Sequence, residues 1–129
     1  MESNIRNCKI IIRSESGGEK SEFVSNGTAT LTPNGISFSY LLENDKCSLE
    51  ISGAKVIQKR AGFQPLEIVF EKGKTTLCTI GSGAFEGSFE IFTHQLNFIN
   101  GAGGVKLALE YDGITDGERV KLSFTAVYQ

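Results

Sequence analysis

His94 is the first residue to weigh for chemistry, because it is the only histidine in the chain. One imidazole rules out the usual multi-histidine metal sites, and any serine–histidine–acid triad would depend on this residue alone. Haem needs a single axial imidazole, so haem ligation is the metal role that stays open for His94. A surface or hydrogen-bonded histidine is the simpler interpretation, and we predict neither a metal site nor a cofactor.

Three cysteines, Cys8, Cys47 and Cys78, are the next candidates. They are odd in number, lie far apart and form no Cys-x-x-Cys pair. Each lies beside aliphatic residues at strand spacing, as Cys8 does with Ile10 and Ile12. Unpaired cysteines of this kind behave as small apolar residues in a reducing compartment. We therefore predict buried free thiols in a cytoplasmic protein.

Arg60 is the residue that points most directly to a binding site. Alternation places it on the same face as Val56, and if this face is inward the guanidinium must meet a carboxylate or hydrogen-bond acceptors. Glu43 is the expected partner, while Tyr40 and Tyr111 would supply hydroxyls beside apolar walls. A rim salt bridge beside ordinary core tyrosines is the alternative. The predicted ligand-binding residues are Tyr40, Glu43, Arg60, Thr93 and Tyr111.

The motif for phosphate binding is weak, and the motif for a serine nucleophile is missing. The segment GSGAFEG, residues 81–87, resembles a phosphate-cradling loop only in outline. Glu86 stands where the fingerprint needs glycine, and we expect a strand, not a helix, to follow. The chain has no G-x-S-x-G elbow. Nucleotide binding and hydrolysis by a serine nucleophile are therefore disfavoured.

Charge and length narrow the class of protein further. The chain has 129 residues and a formal net charge of −2, and its 13 basic residues are interleaved with 15 acidic ones. Such a surface lacks the concentrated positive field that nucleic acid requires. No segment approaches the ~20 apolar residues of a membrane span, and the first residues do not form a signal sequence. We expect one domain over residues 1–129, with no nucleic-acid or membrane partner.

The elements that must position these residues follow from a period of two in hydrophobicity. Apolar side chains recur at every second position, as in Ile36, Phe38 and Tyr40, and glycine or a turn cluster interrupts nearly every window of about ten residues. We predict a polar connection at 14–20, a second strand over about 22–32, a hairpin at 33–35 and a turn at 44–46.

The second half of the chain continues the same pattern with one break. The apolar parity changes near Thr93 and His94, which predicts a β-bulge or bend there. Residues 100–104 separate the next strands, and Asp112-Gly113 and Asp116-Gly117 bracket the last turn. Short strands joined by tight turns predict an all-β fold, a single antiparallel up-and-down barrel of about 8–10 strands.

An ordered set of segments also carries a family resemblance. The segments are GTA (27–29), ISFSYLLE (36–43), KRAG (59–62), LEIVFEKG (66–73), GSFEIFT (87–93) and GVKLALEY (104–111). Together they resemble the bacterial YwiB-like family, a domain of unknown function. The resemblance implies a cytoplasmic, calycin-type (lipocalin-like) barrel, and the family brings no agreed activity or catalytic residues.

Three functions fit such a barrel. The first is a non-enzymatic barrel that binds a small, partly apolar or amphipathic molecule in its interior, lined by some of the nine phenylalanines and three tyrosines. The second is an enzyme that uses Tyr40, Glu43, Arg60 or Tyr111 at the barrel mouth. The third is a protein-interaction module such as a homodimer.

Overall fold

Antiparallel strands make up almost the whole protein, as seen in a computed structural model that describes residues 4–81, 83–113 and 117–129. Within these ranges the strands are β1 (Ile5–Ser16), β2 (Glu19–Thr32), β3 (Gly35–Leu42), β4 (Asp45–Ser52), β5 (Lys55–Arg60), β6 (Leu66–Glu71), β7 (Thr75–Ile80), β8 (Gly87–Gly101), β9 (Gly104–Gly113) and β10 (Arg119–Tyr128). One turn of 3-10 helix, Gly83–Phe85, precedes β8. No helix in the described ranges is long and apolar enough to span a bilayer.

The sheet closes on itself through β1, which pairs with β2 on one side and with β10 on the other. Every other strand pairs antiparallel with its neighbours in sequence, so the chain runs up and down around the barrel. Closure supplies hydrogen-bond partners along both sides of each strand, which an open meander would leave exposed at its edges. The predicted all-β antiparallel barrel is confirmed.

The first turn is tighter than the sequence pattern predicts. β1 and β2 pair as far as Ser16 and Glu19, so the connection is Gly17-Gly18 and not residues 14–20. Both glycines have positive φ, 59° and 84°, which suits a two-residue hairpin turn. The polar side chains of residues 14–20 led to the prediction of a long connection, but most of these residues belong to paired strands that extend beyond the core.

Other boundaries shift by a few residues for the same reason. The turn between β3 and β4 is Glu43-Asn44, and not residues 44–46, so Asp45 is the first residue of β4. β8 continues through the predicted separator as far as Gly101. Of the residues predicted to bracket the last turn, Asp116 lies outside the described residues.

The predicted bulge is confirmed. The pairing of β8 with β9 shifts register between Thr93 and Gln95, so His94 is the extra residue. An extra residue bends the strand and moves the side chains that follow to the opposite face. β8 pairs with β7 before the bulge and mainly with β9 after it, so the bend lets one long strand serve both parts of the barrel.

Alternate side chains from the strands fill the middle of the barrel. The largest wholly buried side chains are Phe38, Phe70, Phe124, Ile10, Leu49, Ile91 and Leu107. The ring centroids of Phe38 and Phe124 are 5.0 Å apart, and the rings are tilted. Other phenylalanines lie at the surface, among them Phe63, Phe89 and Phe98. Phe38, Phe70 and Phe124 therefore fill the centre of the barrel together with the aliphatic side chains, and this directs the search for a binding site to its ends.

We predict that Phe124→Asp and Leu107→Asp each abolish cooperative folding. The two side chains are 0% and 1% exposed, so each substitution buries an unpaired carboxylate and should destabilise the fold by more than about 4 kcal/mol. Leu77→Asp is the matched control, because Leu77 is 53% exposed on the outer face. Thermal melts followed by circular dichroism test this. A wild-type melting temperature in both core variants would contradict the assigned interior.

Candidate functional site

The two ends of the barrel are built from different connections. We call one end the mouth: it comprises the β1–β2, β3–β4, β5–β6 and β7–β8 connections with the start of β10. The opposite end, the base, comprises the β2–β3, β4–β5, β6–β7 and β8–β9 connections with both chain ends. Of the predicted site residues, Tyr40 and Arg60 lie near the mouth on β3 and β5, and Glu43 lies in the β3–β4 connection.

Arg60 lies on the interior face of β5 at the mouth, on the same face as Val56 as predicted. Its Nε donates a hydrogen bond to Asp45 Oδ2 at 2.9 Å, and its Nη2 lies 2.8 Å from the same oxygen. The predicted partner, Glu43, is farther away, with Oε2 3.9 Å from Nη2. The hydrogen bond that Arg60 donates to Asp45 is the largest cause that raises the pKa of Arg60. Asp45 is therefore the main partner, and Glu43 adds a second carboxylate.

The tight β3–β4 turn explains why Asp45 faces inward. Glu43 and Asn44 have φ of 50° and 75°, so two residues suffice to reverse the chain and Leu42 pairs with Asp45. Asp45 then shares a face with Cys47, which lies two residues further along β4 and is buried. The sequence prediction missed Asp45 because it assigned that residue to the turn.

Tyr40 and Cys47 form the buried floor beneath the Arg60–Asp45 pair. Burial, followed by the nearby Cys47, raises the pKa of Tyr40 to about 12, while a hydrogen bond with Gln58 and the charge of Arg60 oppose the rise. Burial is also the largest cause that raises the pKa of Cys47, whose Sγ donates to the Asp45 carbonyl oxygen at 3.7 Å. Both groups therefore keep their protons at neutral pH.

A surface concavity of about 430 Å³ opens above this pair. It is lined by Asp45, Arg60, Phe63, Gln64, Leu66 and Ile80. Phe63, in the β5–β6 connection, is 100% exposed, although an apolar ring of this size is usually at least partly covered. The concavity thus combines a polar pair on one side with aliphatic and aromatic surface on the other, which is the composition of a small-molecule site.

Thr93 and Tyr111, the other two predicted site residues, form a separate group. Thr93 is wholly buried, and its backbone joins β8 to the β6–β7 turn, with Gly73 N donating to Thr93 O at 2.8 Å. Tyr111 packs against Phe70, with 4.9 Å between ring centroids, and burial raises its pKa. Among the described residues, no hydrogen bond, ion pair or ring contact links this group to Tyr40, Glu43 and Arg60.

His94 lies in the bulge, away from the concavity. Its Nε2 is 2.5 Å from Asp112 Oδ1, and its ring meets Phe92 edge-on with 4.8 Å between centroids. Across the described ranges, no group of three or more histidine, cysteine, aspartate or glutamate side chains is placed to hold a metal ion. A carboxylate thus engages one of the two imidazole nitrogens of His94.

A larger groove of about 630 Å³ lies on the outer face across β2, β1, β10, β9 and β8. Its floor contains Ala108 and Ser123, and charged side chains surround it. Several of these charges are already paired on the surface, including Arg13 with Glu22 at 2.6 Å. Exposed cross-strand pairs of this kind are ordinary for a solvated sheet face. We therefore regard the smaller concavity at the mouth as the better candidate site.

Comparison with known proteins agrees with this architecture. The family described as "Domain of unknown function (DUF1934)" matches residues 5–123. The chain belongs to the DUF1934 family. The crystal structure of the ywiB protein from Bacillus subtilis is similar to this DUF1934 chain, with a TM-score of 0.81 and 18% sequence identity over 98% of this chain and 93% of that one. At this identity the likeness shows the fold alone, and it confirms the predicted YwiB-like resemblance. No curated protein matches the chain.

Three residues of this DUF1934 mouth escaped the sequence prediction, and each had a usable signal. Asp45 precedes Cys47 by two positions and Gln58 precedes Arg60 by two, so alternation places each with its neighbour on one face. Phe63 is an apolar residue between Gly62 and Gln64 in a connection, where a large exposed ring is unusual. Asp45 would have been found if the sequence analysis had predicted a two-residue turn at residues 43–44.

Stability at alkaline pH should depend on Tyr40. Its pKa rises from an ordinary 10.0 to about 12 in the fold, so above pH 10 the unfolded chain releases a proton that the folded chain retains. Stability from this residue is therefore complete below pH 10 and is lost as pH rises to about 12. We predict that Tyr40→Phe removes roughly 2–3 kcal/mol of this decline. Denaturant unfolding of both proteins from pH 9 to 12 tests it; a stability difference that does not change with pH would contradict it.

Gly62 should be required for the position of Asp45. Its φ is 140°, and a Cβ there would lie 2.8 Å from the Asp45 carboxylate. Gly53→Ala is the matched control, because Gly53 also has a positive φ of 62° but no heavy atom within 4 Å of its Cβ position. We predict that Gly62→Ala destabilises the protein by about 1 kcal/mol more than the control does. Equal losses in denaturant unfolding would show that the carboxylate has room to move.

Proposed function

We propose that this DUF1934 barrel binds a small, partly apolar molecule at its mouth and does not transform it. The ligand would lie in the concavity between Phe63 and the Arg60–Asp45 pair. The observation that carries the proposal is the full exposure of the Phe63 ring beside this half-buried ion pair. An apolar wall with a few convergent polar groups both attracts a ligand and fixes its orientation.

The ion pair suits binding because its atoms are already held in place. Arg60 directs two nitrogens at a single oxygen of Asp45, which keeps the guanidinium from swinging freely. Polar groups that are ordered before the ligand arrives lose less conformational entropy on binding. Leu66 and Ile80 border the pair and would contact the apolar part of the ligand. The mouth therefore offers both recognition elements in one place.

The protonation states at the mouth favour binding over catalysis. A general base or a nucleophile needs a pKa near the working pH. Burial instead raises the pKa of Tyr40 to about 12 and raises that of Cys47, so neither group is activated. Tyr40 in its neutral form remains a hydrogen-bonding group beneath the concavity. This supports a binding role for the same residues that would have formed a catalytic site.

We further infer that the protein works in the cytoplasm. Cys8, Cys47 and Cys78 are free and buried. Free thiols of this kind are typical of proteins in reducing compartments, whereas oxidising compartments favour disulfides. The inference concerns location only and is independent of the ligand.

A neutral, partly apolar dye tests the proposed function directly. We predict that Nile red binds the wild-type protein saturably, with an increase in fluorescence, and that Phe63→Ala weakens this binding by about tenfold or more. Phe63 makes no core contact, so the variant should keep its melting temperature within a few degrees. Arg60→Met should also weaken binding, because it frees Asp45 and removes the polar wall.

Ile99→Ala is the matched control for the loss of an exposed apolar side chain. Ile99 is 70% exposed and pairs with Lys106 near the β8–β9 hairpin at the base. Its removal should leave Nile red binding unchanged. The proposal fails if wild-type binding does not saturate, or if Phe63→Ala binds the dye as tightly as wild type does.

A further inference from the structure

The two ends of the barrel carry opposite charge. In the described part of the mouth, carboxylates outnumber cations: Glu15, Glu19, Glu43, Asp45, Glu67, Glu86 and Glu118 against Lys20, Lys46, Lys59, Arg60 and Arg119. In the described part of the base the balance is reversed: Arg6, Lys55, Lys72 and Lys74 against Glu71. Although the net charge of the chain is only −2, negative charge is thus in excess at the mouth and positive charge at the base. Such a field concentrates cations near the acidic end.

The charge next to the concavity is negative, like the excess charge of the mouth as a whole. The guanidinium of Arg60 is matched by Asp45, and the carboxylate of Glu43 brings a second negative charge to within 3.9 Å of it. The side chain of Glu43 is 82% exposed, whereas those of Arg60 and Asp45 are about a third exposed. The charge that a ligand meets first is therefore negative. An anionic ligand would have to compete with Asp45 for Arg60, whereas a cationic ligand can pair with Glu43, which is 3.9 Å from Arg60 and largely exposed.

Phe63 supplies the second element of cation recognition. An exposed aromatic face attracts an organic cation through its quadrupole and also packs against the apolar body of that cation. Phe63 and Asp45 line the same concavity, and Glu43 lies beside it through Arg60. Carboxylate and aromatic groups together satisfy both parts of an ammonium ion that carries an apolar substituent.

We propose that the mouth selects small organic cations, either protonated amines or quaternary ammonium ions, that carry an apolar body. The positive group faces Glu43 and Asp45, and the apolar body packs against Phe63. This inference rests on the proposed binding function and deepens it by naming the ligand class. It also gives Glu43 a role in ligand binding in addition to its 3.9 Å ion pair with Arg60.

Three probes that share a phenyl ring and differ in charge test the proposal: benzylammonium, benzyl alcohol and benzoate. Their affinities are measured by displacement of Nile red and by direct calorimetric titration. We expect benzylammonium to bind about tenfold more tightly than benzoate at low salt, with benzyl alcohol between them. Because the charges are largely exposed, this preference should shrink at about 0.5 M salt, where screening is strong.

Glu43→Gln isolates the contribution of charge. We expect it to weaken benzylammonium binding about three- to fivefold and to leave benzyl alcohol binding unchanged, because the variant keeps the shape of the side chain. Glu90→Gln is the matched control, since Glu90 is an exposed carboxylate on the outer face of β8, opposite Leu77. This control should bind all three probes as wild type does.

The outcomes separate the two proposals. If Nile red and benzyl alcohol bind but the three probes have equal affinities, the mouth is a binding site and the cation preference is wrong. Tighter binding of benzoate, or a Glu43→Gln variant that keeps full affinity for benzylammonium, also overturns the preference. If neither Nile red nor any of the probes binds, both the preference and the binding function fail.

Discussion

Closure of the sheet is the constraint on which the rest of this structure depends. Because β1 pairs with both β2 and β10, each strand has an interior face and an exterior face, and every second side chain is committed to the interior. The middle of that interior is filled by buried side chains such as Phe38 and Phe124. Any polar residue on an interior face must therefore lie near an end of the barrel or find a buried partner.

Arg60 shows this constraint at work. It shares the interior face of β5 with the wholly buried Val56, but it is the last residue of the strand, so its charge reaches the mouth. The adjacent strand brings Asp45 to the same level, and the two side chains hold each other in place. An ordered polar pair at the edge of an apolar interior is a consequence of barrel geometry, and it is also the feature that makes the mouth suited to ligand recognition.

The connections complete the site and contribute to its net negative charge. Those at the mouth contribute Phe63, which is fully exposed, and Glu43, which extends into solvent from a two-residue turn. Connections are free of the packing that fixes the strands, so their composition reflects other demands more readily. Glu43, Glu86 and Glu118 lie in connections or next to them at the mouth, and Lys72 and Lys74 lie in the β6–β7 connection at the base.

The amino-acid sequence alone determined the fold class, the inward rows of side chains and the bulge at His94, since each follows from a period of two. It placed Arg60 on the same face as Val56 but left open whether that face is inward. Tertiary structure decided which residues meet across strands. Register depends on turn length, and the short turns at Gly17-Gly18 and at residues 43–44 were hidden by polar sequences that resemble longer loops. For that reason Asp45 was missed as the partner of Arg60, while the pairing of β8 with β9 places Thr93 and Tyr111 beside Phe70 and the β6–β7 turn.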